Sequence, residues 1–144
     1  MTARPSDLEQ IAHLRHELLT PINHILGLTE MQMDEAPDTG LGDYIPALAE
    51  INTGGRKLLA IIEGELNVFS RPSDLKRLEA RLESEARPTL GQARKLAEQL
   101  HAIGQHSAAE EMSLVSSALQ NLIAISRETA QDLQADALAP QIRK

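Results

Sequence analysis

His16-Glu17-Leu18-Leu19-Thr20-Pro21 places a nucleophilic imidazole, a carboxylate and a hydroxyl within six residues. On a helix Thr20 lies one turn beyond His16 on the same face, and Glu17 flanks the ring about 100° around the axis. A neutral imidazole in such company is chemically suited to accept a phosphoryl group. Pro21 has no N–H to donate and its ring crowds the carbonyl four residues back, that of Glu17, so the helix carries an irregularity at this site. The other histidines, His13, His24, His101 and His106, stand alone in sequence and read as surface residues. His13, His16 and Glu17 do not complete a metal pattern, because the zinc-protease spacing needs a histidine where Thr20 stands, and no third ligand is apparent. No metal site is expected on this chain.

The elements that position these residues are helical. The chain has 144 residues, 42% of them apolar, and its only aromatics are Tyr44 and Phe69. A core of Leu, Ile, Ala, Val and Met suits packed helices. Ser6 followed by Glu9 makes a capping box, and Leu8, Ile11, Leu14, Leu18, Ile22, Ile25 and Leu28 recur at helical spacing. Helix 1 is predicted over 7–36 and is closed by Pro37-Asp38-Thr39-Gly40-Leu41-Gly42. Asp43 is expected to cap helix 2, which runs to about 69, with Gly54 and Gly55 asking for close helix approach. Helix 3 spans about 74–103, and Ser107 with Glu110 caps helix 4, which runs to about 137.

The two halves resemble each other. Arg4-Pro5-Ser6-Asp7-Leu8 recurs 67 residues later as Arg71-Pro72-Ser73-Asp74-Leu75, and Pro21 falls on Pro88. An offset of 68 aligns the apolar positions of helix 1 better, and in helices 2 and 4 Leu58-Leu59-Ala60-Ile61 matches Leu122-Ile123-Ala124-Ile125, with the second loop a few residues shorter. His16 falls on Glu83 or Ser84, so the second copy lacks the histidine. Glu79, Glu83 and Glu85 read as a solvated helix face. A hairpin with one apolar stripe per helix cannot bury itself and needs a second. The expected fold is therefore an all-α antiparallel four-helix bundle, two tandem hairpins forming a single-chain pseudo-dimer. Residues 7–71 form the first hairpin, 72–137 the degenerate second, and 138–144 a tail or linker.

The same residues carry a family resemblance. His16-Glu17-Leu18-Leu19-Thr20-Pro21 resembles the H-box of the dimerisation and histidine-phosphotransfer domain of sensor histidine kinases. Ile22-Asn23-His24-Ile25-Leu26-Gly27-Leu28-Thr29-Glu30 resembles its continuation. The stretch from Ile51 to Ile62, running on to Arg71, is similar to the second helix of that hairpin. Residues 8–71 are covered. Leu19 departs from the family, which usually has Arg, Lys or Asn there. The resemblance implies His16 as phosphoacceptor, Glu17 as acceptor of a hydrogen bond from the other ring nitrogen, and Thr20 as a residue positioning water. It also implies, as partner, a response-regulator receiver domain whose Asp exchanges the phosphoryl group and which brings Mg2+. A histidine kinase or its ATP-binding domain is a further possible donor. No cofactor is expected on this chain.

Asp38-Thr39-Gly40-Leu41-Gly42 matches the Asp-x-Gly-x-Gly of the kinase ATP site, but here it joins two helices with no sheet-forming sequence after it, so it reads as a turn. An autonomous ATP-dependent kinase is therefore not expected. Net charge of −7 would repel a phosphate backbone, which argues against nucleic acid. No apolar run approaches the ~20 residues of a membrane span, and the absence of cysteine fits a reducing compartment, so a cytoplasmic protein is expected. The leading expectation is a histidine phosphotransfer module of a two-component phosphorelay. The alternative is a non-catalytic helical module that dimerises or transmits signals within a larger regulatory protein.

Overall fold

A computed structural model describes residues 5–66 and 72–142. It has four long helices, α1 (Pro5–Thr39), α2 (Ile45–Glu65), α3 (Pro72–Ala102) and α4 (His106–Ile142), with a short 3-10 turn at Gly42–Tyr44. Each helix packs on two others, in the cycle α1–α2–α3–α4–α1, and the diagonal pairs do not meet among the described residues. Cross-helix bonds tie the neighbours together: Asn52 reaches Thr29 between α1 and α2, Lys57 faces Glu85 between α2 and α3, and Gln32 bonds the Ala108 carbonyl between α1 and α4. The expected four-helix bundle is the observed one.

The core follows the apolar stripe. On α1 the buried residues are Ile11, Leu14, Leu18, Pro21, Ile22 and Ile25, then Thr29, Gln32 and Ala36. Steps of three and four make this a stripe facing the bundle axis, widened at the adjacent Pro21 and Ile22. Two polar residues in the seam are bonded across it. Asn52 donates to Thr29 Oγ1 at 2.9 Å, Thr29 donates to the Ile25 carbonyl at 2.8 Å, and Arg56 Nε donates to Asn52 Oδ1 at 2.8 Å. These satisfied bonds pin the register of α1 on α2, because a slide would strand buried polar groups.

Several helix ends differ from expectation. α1 runs through Pro37 and stops at Gly40, whose φ of +78° turns the chain left-handed while Leu41 N–H returns to the Ala36 carbonyl at 2.8 Å. A proline in a last turn removes only one bond, so Pro37 does not end the helix. Asp43 does not cap α2. It lies in the 3-10 turn, and Tyr44 holds the cap position without a side-chain bond, with proline in the first turn favouring the helix start. α2 ends at Glu65 rather than near 69, where Leu66 turns extended. α4 begins at His106, so Ser107 sits inside its first turn, and it continues to Ile142, beyond the expected 137. The side chains of Ser6 and Ser73 lie outside those described, as do Arg4 and Arg71 of the repeated pentapeptide.

The internal repeat is present: helices 2 and 4 match in the expected register, and helices 1 and 3 in a different one. Burial repeats at a constant offset of 64: Ile11 with Leu75, Leu14 with Leu78, Leu18 with Leu82, Ile22 with Ala86, Leu48 with Met112, Ile51 with Val115 and Leu58 with Leu122. The loop glycines agree, since Gly40 and Gly104 are 64 apart with φ of +78° and +80°. Offsets of 67 and 68 look plausible in sequence because sliding a heptad stripe by three or four residues lays it back on itself. In the observed register His16 corresponds to Ala80, Thr20 to Ser84, and the buried Pro21 to Glu85, while Pro88 is exposed.

Candidate functional site

His16 is exposed on α1, between the buried Leu14 and Leu18 that anchor the helix. Thr20 and His24 follow at successive four-residue steps, so the three line one stripe. That stripe forms one wall of a groove of about 700 Å³ between α1 and α4, with Glu17 and Pro21. The α4 wall is Leu114, Ser117, Ala118, Asn121, Ala124, Ile125 and Glu128. Half-exposed Leu114 gives it an apolar spot, and Asn121 and Ser117 give it hydrogen-bonding capacity.

His16, Glu17 and Thr20 are thus brought to one groove. Their bonding differs from the expected scheme in one respect. Glu17 Oε1 lies 2.8 Å from His13 Nε2, one turn earlier, and among the described residues no hydrogen bond joins it to the His16 ring. Thr20 Oγ1 donates to the His16 carbonyl at 3.1 Å, the common resting bond of a helical threonine. Leu19 is half-buried and packs against the core, so it is turned from the groove.

The groove lining carries two carboxylates, Glu17 and Glu128, and no Lys or Arg. A phosphoryl group on His16 would meet no cation from this lining. No cluster of three or more His, Cys, Asp or Glu that could hold a metal occurs among the described residues. The Asp38–Gly42 segment connects α1 to the 3-10 turn, and no strand occurs among the described residues.

The pseudo-equivalent face, between α2 and α3, is closed. Lys57 and Glu85 approach to 3.8 Å, Gln92 donates to Glu50 at 3.3 Å, and Arg81 pairs with Glu65. At Gly54 the helices come so close that an added Cβ would lie 2.2 Å from Thr89 Oγ1. The corresponding position on α4 is Ala118, in the wall of the open groove. Glu83 is not part of a merely solvated face: Arg87 and Arg127 both pair with it. The Arg87 hydrogen bond above all, then Arg127, hold its carboxyl below its ordinary range, with desolvation opposing.

Sequence reasoning missed His24 and the whole α4 wall. His24 was available from its spacing of eight from His16. Asn121 and Glu128 carried no local signal, because only the pairing of the first helix with the last brings them near. No helix among the described residues is long and apolar enough to cross a membrane. Comparison with protein-family models, curated proteins and solved structures gives no match to this chain.

Proposed function

We propose that this chain is a histidine phosphotransfer module, carrying a phosphoryl group on His16 and exchanging it with an Asp of a response-regulator receiver domain. The observation that carries the reading is the placement of His16: exposed, on a rigid helix, in the wall of an open groove that a partner element can enter. In-line transfer needs such access. A ring nitrogen attacks phosphorus of the partner's acyl phosphate, the N–P bond forms, and the P–O bond to the partner's carboxylate breaks; the reverse step returns the group. The acidic, Lys- and Arg-free lining implies that neutralising charge comes with the partner, as Mg2+ and its own basic residues. A histidine kinase or its ATP-binding domain would be the donor where the flow starts from ATP.

Glu17 contributes by turning from His13 to the neighbouring His16, where its carboxylate orients the ring and supports the developing positive charge. Thr20 releases the His16 carbonyl to position water for hydrolysis of the partner's phosphate. The test is intact-mass analysis after incubation with phosphorylated receiver domains, or with an active histidine kinase and ATP, beside His16→Gln. Acid-labile phosphate on the parent alone supports the reading. No phosphate from any donor defeats it.

One observation favours a second reading, a non-catalytic helical module for dimerisation or signal transmission. Glu17 is engaged by His13. In that case the groove docks a partner without chemistry, and His16→Gln leaves docking intact.

A further inference from the structure

At the corner where α3 meets α4, two histidines five residues apart meet face to edge. His101 Nδ1 and His106 Nδ1 are 3.1 Å apart, their ring centroids 4.7 Å apart and their planes inclined at 62°. We propose that this pair is a two-imidazole site for a transition-metal dication of the Zn2+ or Ni2+ class, held by both Nδ1 atoms and completed by water. This proposal is independent of the phosphotransfer reading.

The geometry carries it. Two nitrogens bound at about 2.0–2.1 Å, with a ligand–metal–ligand angle between roughly 90° and 110°, stand about 2.9–3.4 Å apart. The observed separation falls within that span. As a hydrogen bond, the same contact requires one Nδ1 to hold a proton and the other a lone pair. A metal ion replaces that shared proton, with both rings in the Nε2–H tautomer.

The corner is fixed in advance. Gln105 N–H bonds the Leu100 carbonyl at 2.9 Å, Gly104 N–H bonds the His101 carbonyl at 3.1 Å, and Gly104 takes φ of +80°. This double closure seats both histidines on hydrogen-bonded backbone, so little ordering opposes binding. Both rings are exposed, which leaves room for water ligands. Imidazole donors select Zn2+, Ni2+ and Cu2+ over Mg2+ and Ca2+, so this site is distinct from any Mg2+ brought by a receiver.

The experiment is a Zn2+ titration of the whole chain followed through the imidazole NMR signals of all five histidines, with His101→Asn and His106→Asn alongside. The expected result is saturation at one equivalent, with His101 and His106 shifting together, the effect lost in each variant, unmoved by excess Mg2+, and weakening tenfold or more when the pH is lowered well through the imidazole range. Absence of a saturable shift up to millimolar Zn2+ on the unmodified chain would overturn the proposal. So would binding that persists in either variant, or a response centred on His13, His16 or His24.

Discussion

Gly54→Ala sets two known effects against each other. Alanine in mid-helix is favoured over glycine by about 1 kcal/mol, so α2 alone would gain. The added Cβ, however, would stand 2.2 Å from Thr89 Oγ1, 2.9 Å from its Cγ2 and 3.1 Å from its Cβ, against an ordinary carbon contact of roughly 3.5–4 Å. Rotating the threonine relieves this only in part, because with two of the three positions on its Cβ facing the glycine a β-branched side chain keeps a heavy atom in at least one of them, and the Cβ itself is fixed to the α3 backbone. α2 and α3 must therefore separate locally. Overpacking of this kind costs about 1–3 kcal/mol, and the depth of the overlap places it in the upper part of that range. The expected net loss is about 1–2 kcal/mol, a fall in Tm of ~3–8 °C for a chain of this size. Thermal and urea unfolding followed by circular dichroism measure it. Thr89→Ala removes the two closest atoms, so in a double-mutant cycle it should recover most of the loss, with a coupling of about 1–2 kcal/mol. A Gly54→Ala protein as stable as the parent, or zero coupling to Thr89, would refute the close approach of α2 and α3.

Other substitutions separate related points. Gly91→Ala meets nothing within 4 Å and should stabilise by about 0.5–1 kcal/mol in the same unfolding assay, the reverse of Gly54→Ala. Asn52→Ala strips the Thr29 hydroxyl and the Arg56 guanidinium of their buried partner and should cost about 1–3 kcal/mol. Glu83 has its carboxyl pKa depressed in the folded state, so its contribution is complete above its ordinary value of 4.5 and is lost as pH falls through the depressed one. The stability difference between the parent and Glu83→Gln should accordingly be constant from neutral pH to about 4.5 and shrink on further acidification; a difference that grows in acid would contradict the pairing with Arg87 and Arg127.

The parts of this molecule that sequence reveals are those governed by local chemistry. The run Leu14, Leu18, Ile22 and Ile25 can be buried only as one stripe of a helix, and the same spacing puts His16 and Thr20 together on the opposite, exposed side. The remainder depends on choices that local chemistry leaves degenerate. The register of α1 on α3 is one: a heptad stripe fits itself at shifts of three or four, so 67 and 68 compete with the 64 that the α2–α4 match and the paired glycines Gly40 and Gly104 share. Glu17 is another, since it stands within reach of an imidazole one residue away and of one four residues away, and the helix geometry gives it to His13. Proline and capping residues misled for a simpler reason. Pro37 falls in a last turn where its missing donor costs one bond, and Asp43 falls in a tight turn ahead of the helix it was expected to cap. The α4 wall of the groove lies beyond local reading because only the packing of α1 on α4 brings it to His16, and the His101–His106 contact depends on the turn at Gly104 that folds α4 back on α3.

The uniform 64-residue period also bears on how the chain is threaded. The segment that leads from Leu66 at the end of α2 into α3 has a counterpart leading from residue 130 of α4 to residue 8 of α1, at the same end of the bundle. A circular permutant opened between α2 and α3, and closed across that counterpart gap by a copy of residues 67–71, would have the helix order α3, α4, α1, α2 and the same core. Its ends would lie where the present connection lies. The two walls of the His16 groove, now at opposite extremes of the sequence, would become consecutive helices joined by a short turn, and the surface that forms last in a chain folding by local contacts would become one that forms first.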